Sequence, residues 1–187
     1  MNISYRICTN CICDTSIDGI KFDADGECNF CKLHRTLEKE CPIDGKTLPK
    51  IIDDIKRSSS SREFDCIVGI SGGRDSIYSL YLVKKVFGLN PLAVHFNDGF
   101  GNPVAGQNLQ NASQALDVQV RTITSDWRES KDLKIAFLRA STPDLEQGTD
   151  LGIATALYGV ACLEKMRFVF FGQSFRTEGI CPLTWNY

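Results

Sequence analysis

Ile67-Val68-Gly69-Ile70-Ser71-Gly72-Gly73-Arg74-Asp75-Ser76 decides the fold. Apolar and small residues in a row suit a strand covered on both faces, as in a parallel sheet. Ser71 to Gly73 then turn the chain tightly, and Asp75-Ser76 open an apolar helical run through Ile77, Leu80, Tyr81, Val83 and Phe87. A helix that starts behind a glycine turn gathers orphan N–H groups and the positive end of its dipole at one spot, which favours an anion. The first expectation is therefore a phosphate site.

Outward from this stretch the rhythm is strand, helix, strand, helix. The pattern predicts strands over Asp65–Ile70, Leu92–Phe96, Val118–Thr124 and Phe168–Gly172. Helices are expected over Asp75–Phe87, Pro103–Leu116, Asp132–Ala140 and Gly148–Lys165. Alternation of this kind predicts a parallel α/β sheet with right-handed crossovers and helices on both faces. Ligands in such sheets sit at the carboxyl ends of the strands near a topological switch, so the turns after Ile70, Phe96 and Phe171 should line one crevice.

Upstream lies a different kind of signal. Cys8-x2-Cys11 and Cys28-x2-Cys31 form two knuckles with sixteen residues between them, the spacing of a structural zinc site closed by four thiolates. Ile20-Lys21-Phe22 reads as a short strand, and Asp23-Ala24-Asp25-Gly26 as the turn that delivers Cys28. A segment this small has no core of its own, so metal binding would supply much of its folding energy. Cys13 and His34 lie near enough to be alternative ligands but break the two-knuckle symmetry. These readings divide the chain into a zinc-ribbon-like module over 1–40, a helical connector over 41–63 and an α/β domain over 64–187.

The whole chain has 187 residues, with 21 Lys plus Arg against 23 Asp plus Glu and a net charge of −2. Residues 1–63 hold 10 basic and 11 acidic groups and residues 64–187 hold 11 and 12, so neither part shows the basic excess of a nucleic-acid footprint. No apolar run is long enough for a membrane span, and the N-terminus lacks a signal-peptide apolar region. Nine cysteines without such a signal suit a reducing cytoplasm better than a disulfide scaffold.

Three phosphate loops compete for the central stretch. The Walker loop requires Gly-Lys-Ser/Thr where this chain has Gly73-Arg74-Asp75, and the dinucleotide fingerprint G-x-G-x-x-G is absent there. What remains, Ser71-Gly72-Gly73-Arg74-Asp75-Ser76 behind a buried strand, resembles the SGGxDS loop of the PP-loop, or ATP pyrophosphatase, superfamily. That resemblance implies an adenine nucleotide alpha hydrolase-like fold and cleavage of ATP to AMP and pyrophosphate. Ser71, Gly72, Gly73 and Ser76 would offer N–H and hydroxyl donors to the pyrophosphate. Arg74 would neutralise phosphate oxygens, and Asp75 would cap the helix and hold Mg²⁺. At the strand ends, backbone groups of Val94 and Phe96 would meet the adenine, Asn97 or Asp98 would face the nucleotide and Gly172 would line the fourth turn. His95 is either a general base or a structural residue.

A second resemblance covers the whole chain. The segments Cys8-x2-Cys11, Phe22 to Cys31, Phe87 to His95, Ala136 to Asp144, Thr149-Asp150 and Thr177 to Pro182 occur in the order seen in the N-acetyl sugar amidotransferase family of surface-polysaccharide biosynthesis. That resemblance implies ATP-dependent conversion of an acetamido group on a nucleotide-linked sugar to an acetamidino group, with a glutaminase and a cyclase-like subunit supplying ammonia. It places Asp150 and Glu178 beside Arg74 and Asp75 as catalytic candidates. Two departures accompany it. His95-Phe96-Asn97-Asp98 varies the His-x-Asp-Asn order of relatives, and the chain stops at Tyr187, where relatives continue, as a truncated or partial chain would. The rival readings are a tRNA-thiolating enzyme of the same superfamily and a non-catalytic zinc- and nucleotide-binding module.

Overall fold

The structure, a computed structural model, describes residues 4–142 and 144–178. Two compact units emerge, one built from residues up to Thr47 together with the segment from Ser174, the other spanning Leu48–Gln173. Pro143 and the Gly179–Pro182 part of the last motif lie outside the described residues.

In the larger unit the expected parallel sheet is present. It contains β1 (Cys66–Gly69), β2 (Pro91–Asn97), β3 (Val120–Thr124) and β4 (Val169–Phe170), in the order β3-β2-β1-β4, all parallel. Successive strand residues point to opposite faces, and β1 shows this plainly. Cys66, Val68 and Ile70 enter one core with Ile52 and Ile55 of α2 (Thr47–Ser59) and with Leu80 of α3 (Arg74–Tyr81). Ile67 enters the other with Leu92, Val94 and, from α6 (Gln147–Leu163), Ala156, Leu157 and Val160. Ile67, Leu92 and Leu80 are fully buried, each contributing roughly 1.5–3 kcal/mol through removal of apolar surface from water. The chain steps from β1 to β2 to β3 in one direction and then returns to pair β4 on the far side of β1. The crossover helices consequently change face between β1 and β4, and that is the switch point.

Element boundaries differ from the sequence expectation for local reasons. The first crossover helix ends at Tyr81 and widens into a π-helical segment, Leu82–Val86, in which the Phe87 N–H reaches the Leu82 carbonyl. The helix expected from Asp132 starts earlier, as α5 (Trp127–Ala140), because the Asp126 carboxylate accepts from the N–H groups of Arg128 and Glu129 at 2.7 and 3.3 Å. The fourth strand pairs over only two residues. Between β2 and β3, α4 (Pro103–Leu116) matches its expected bounds, with Asn102 as cap and Pro103 in the first turn.

In the smaller unit, Cys28 precedes α1 (Asn29–Glu40), so Cys31 sits in its first turn and the helix begins earlier than the expected connector. Ile20-Lys21-Phe22 forms no strand; Phe22 makes a single antiparallel bridge to Cys28. Asp23 holds the turn by accepting from the N–H groups of Asp25 and Glu27, and Gly26 adopts φ +85°. A short helix, α7 (Phe175–Glu178), belongs to this unit, with Phe175 edge-on to His34 at 5.3 Å. Among the described residues no helix is long and apolar enough to cross a membrane.

Candidate functional site

At the carboxyl ends of β1, β2 and β4 lies a cleft of about 530 Å³. Its walls include Ile70 to Ser76 (Gly72 excepted), Val94-His95-Phe96 and Phe171-Gly172, so the turns after three strands line one crevice as the alternating pattern predicts. Asp150, Ile153, Leu157 and Tyr158 of α6 supply the opposite wall. One end of the cleft is polar and rich in glycine and hydroxyls, and the other is aliphatic and aromatic.

The polar end is built from the Ser71–Ser76 loop folded on itself. Ser76 Oγ accepts from the Ser71 N–H at 3.1 Å and donates to the Gly73 carbonyl at 3.0 Å, while the Gly73 N–H reaches Ser71 Oγ at 3.3 Å. The two hydroxyls stand 3.2 Å apart. Gly73 occupies the N-cap position of α3 and no side chain caps the helix, so Asp75, expected as the cap, lies inside the first turn instead, and the first-turn donors are left at the cleft. Gly72 takes φ +81° beneath α4, where an added Cβ would lie 2.0 Å from the Ala105 carbonyl oxygen; Asn108 Nδ2 donates to the Gly72 carbonyl at 3.3 Å. Gly172 approaches the same loop from β4, and a Cβ there would lie 2.9 Å from the backbone of Ser76. Gly69 admits Leu157 of α6, whose methyl would be 3.0 Å from a Cβ at that position. Three of the glycines around the loop are therefore required by close approach of backbone or core.

Arg74 and Asp75 stand at the rim, both exposed, with Nε 3.4 Å from Oδ1. His95 Nδ1 lies 2.9 Å from the Ile70 carbonyl. A carbonyl only accepts, so Nδ1 carries the proton and ties β2 to the residue before the loop. The aromatic ring of Phe96 lies over Gly152, where a Cβ would come within 2.4 Å of it. Asn97 turns away from the lining and accepts from the Gly99 N–H at 3.0 Å. Thr149 and Asp150 diverge at the start of α6: Asp150 lines the cleft, whereas the Thr149 hydroxyl donates to Asp98 Oδ2 at 3.0 Å. Partial burial, with help from the nearby Asp144 and Glu146 carboxylates, raises the Asp150 carboxyl above its ordinary range even though the residue keeps one exposed side. Glu178 falls in the smaller unit, where its carboxylate accepts from the Ser174 N–H at 2.6 Å.

One site-supporting residue, Lys134, had no sequence signal. Lys134 of α5 places Nζ 2.8 Å from both oxygens of Glu146, 3.0 Å from Thr149 Oγ1 and 3.3 Å from Asp98 Oδ2, with the Phe100 ring 4.9 Å away. Burial pushes the Asp98 carboxyl up, but the Phe100 N–H, the Thr149 hydroxyl and Lys134 outweigh it and hold it below the ordinary range. Lys134 itself is raised, its two carboxylate partners overcoming burial.

The four cysteines expected to bind metal converge. The Sγ atoms of Cys8, Cys11, Cys28 and Cys31 all lie within 4.8 Å of one another, and among the described residues Cys13 and His34 are not part of that group. The N–H groups of Cys28 and Asn10 point at Cys8 Sγ, at 3.2 and 3.4 Å, an arrangement that favours a thiolate. Four converging sulfurs suit a tetrahedral soft-metal site, zinc or iron–sulfur. Cys66 and Cys162 lie in the larger unit, apart from that group. Burial pushes Cys66 up to about 12, which makes it unreactive, and Cys162 is exposed on α6; Cys181 lies outside the described residues.

No protein-family model matches the chain. It is 29% identical over 84 residues to an uncharacterised protein of Methanocaldococcus jannaschii, a match covering 45% of this chain and 30% of that protein. Among solved structures it is similar to the NH3-dependent NAD synthetase of Campylobacter jejuni (TM-score 0.48, 18% identity, 67% of this chain and 55% of that one). It is also similar to the U34-tRNA thiolase of Methanococcus maripaludis with its 4Fe–4S cluster (TM-score 0.49, 17% identity, 90% and 54%). A third is the NMN synthetase of Francisella tularensis (TM-score 0.42, 18% identity, 63% and 52%). The chain spans about half the length of these solved chains and under a third of the curated relative.

Proposed function

We propose that the cleft binds ATP and cleaves it to AMP and pyrophosphate while activating the acetamido group of a nucleotide-linked N-acetyl sugar for attack by ammonia. The observation that carries the nucleotide half is the Ser71–Ser76 loop, folded into a donor-lined turn at the switch point with an uncapped helix behind it. The sugar half rests on the order of motifs along the sequence.

In this reading Ser71, Gly72, Gly73 and Ser76 hold the pyrophosphate through N–H and hydroxyl donors, and Arg74 at the rim neutralises its oxygens. Asp75 is the residue that would hold Mg²⁺, which when bound offsets charge on the phosphates. Val94 and Phe96 present backbone to the base, and Gly172 keeps β4 close to the loop. An amide carbon is a poor electrophile. Attack of the amide oxygen on the α-phosphorus expels pyrophosphate and leaves AMP attached to that oxygen. Ammonia then adds to the carbon, AMP departs with the oxygen, and a proton lost from nitrogen leaves the amidine. Asp150, whose raised carboxyl is suited to accept that proton, faces the cleft. Cys8, Cys11, Cys28 and Cys31 would hold zinc, and with four protein ligands its role would be structural. Ammonia would come from a partner glutaminase with a cyclase-like subunit, in the cytoplasm where nucleotide sugars are made.

The test is release of AMP and pyrophosphate on mixing the protein with ATP, Mg²⁺, ammonium and UDP-linked N-acetyl sugars. Release that depends on sugar is expected. Release stimulated only by tRNA would move the assignment to tRNA thiolation, and tight ATP binding without turnover would make the chain a binding module. Asp75→Ala should reduce turnover by about a hundredfold or more, as loss of a charge-positioning group does, with metal content unchanged by elemental analysis. Retained activity would remove Asp75 from the site.

A further inference from the structure

The cleft has one wall that its own packing does not explain. The first turn of α6 carries Asp150, and this helix begins without a side-chain cap. Its neighbour α5 has no fully buried residue. Yet between them sits Lys134, whose side chain is only 15% exposed, as is that of Asp98 at 14%. Buried ion clusters are rarely retained for stability, because apolar replacements of the same shape often do as well. They do fix geometry, since every member dictates the direction of the others.

Here the direction is fully specified. The Thr149 hydroxyl receives a hydrogen bond from Lys134 Nζ at 3.0 Å and donates its own proton to Asp98 Oδ2 at 3.0 Å. Asp98 in turn accepts from the Phe100 N–H at 3.0 Å through Oδ1. Each carboxylate oxygen of Glu146, at the entry to α6, accepts from Lys134 Nζ at 2.8 Å. The end of β2 and the start of α6 are thus fastened by Asp98 on Thr149. A second fastening lies beside it, where Phe96 rests on Gly152. Phe96 lines both the main cleft and a small cavity of about 30 Å³ beside Lys134, so the two fastenings are adjacent. Asp150 lies between them in sequence.

The geometry points to Lys134 as a positioning residue that, through Thr149 and Asp98, sets where Asp150 stands in the cleft. The inference rests on the proposed role of that cleft in ATP-dependent chemistry. Lys134 touches no reacting atom. It holds the β2 and α6 walls at a fixed separation and orientation, and Asp150 inherits both.

Two variants test this without altering the net charge. Thr149→Val removes the bridging hydroxyl alone. Lys134→Met with Asp98→Asn removes one cation and one anion together and retains the length of the lysine stem. Three quantities are measured on the full chain: turnover at saturating ATP, ATP affinity at equilibrium, and the ¹³C carboxyl resonance of Asp150 through a pH titration. Turnover should fall by about a hundredfold, the size expected when a reacting group is misplaced by about an ångström. ATP affinity should stay within about twofold, because the Ser71–Ser76 loop is untouched and β2, with Val94 and Phe96, stays paired between β1 and β3, so that the displacement falls on α6. The Asp150 resonance should move in both variants.

An unchanged resonance with unchanged turnover overturns the inference, and so does parallel loss of ATP affinity, turnover and thermal stability, which marks packing alone. If one variant does not fold, the other decides. If the unmodified chain shows no turnover, the functional reading fails by itself. The Asp150 resonance then still decides the role of Lys134: a shift sustains it and constancy overturns it.

Discussion

Gly72→Ala should abolish tight ATP binding while leaving the cysteine site filled. Gly72 sits at φ +81°, a region that disfavours an L side chain by roughly 1–2 kcal/mol. A methyl group there would also lie 2.0 Å from the Ala105 carbonyl oxygen, a backbone atom that cannot rotate aside. Overpacking of this kind costs about 1–3 kcal/mol more. Relief requires the loop and the first turn of α4 to separate, which disperses the donors of Ser71, Gly73 and Ser76. A combined strain of about 2–5 kcal/mol corresponds to a loss of affinity between about thirtyfold and a few thousandfold. Equilibrium titration with ATP measures it directly. Gly106→Ala, on the same helix, is the control: nothing lies within 4 Å of its added methyl, and alanine in a helix interior should stabilise by about 0.5–1 kcal/mol. If Gly72→Ala binds ATP as the unmodified chain does, the loop is not the phosphate site.

Removal of the metal should unfold the smaller unit and spare the larger. Cys28 is completely buried, and α1 buries no residue fully, so that unit has little apolar core to hold it. Structural zinc contributes on the order of 10–16 kcal/mol in comparable small modules. Chelation, or Cys28→Ser, should erase hydrogen-exchange protection in α1 while the amides of β1 and β2 keep theirs. The same sample identifies the metal: zinc is spectroscopically silent, whereas an iron–sulfur cluster absorbs in the visible after anaerobic preparation. Protection in α1 that survives complete metal removal would show that the four thiols are not its staple.

Local patterns made much of this protein legible without coordinates. The run from Ile67 to Ser76 contains strand, turn and helix start in contiguous residues, and period-two burial in Cys66, Val68 and Ile70 against Ile67 follows from strand geometry alone. Cys8, Cys11, Cys28 and Cys31 were readable because the ligands of a knuckle are near neighbours. Elements set by a single capping bond were not: α5 begins at Trp127 because of Asp126, which no apolar periodicity announces.

The strand–turn–helix form of the loop, the parallel alternation and the cysteine set were thus written in short stretches, where spacing along the chain is spacing in the fold. Tertiary structure decided which way side chains face where distant stretches meet. Thr149 and Asp150 are adjacent, yet one turns to Asp98 and the other to the cleft. Gly172 is required only because β4 returns beside β1 and meets the backbone of Ser76. Lys134 carried no motif at all. Its place emerges once the crossover from β3 lays α5 over the end of β2, where two carboxylates and a hydroxyl out of reach in sequence enclose one ammonium.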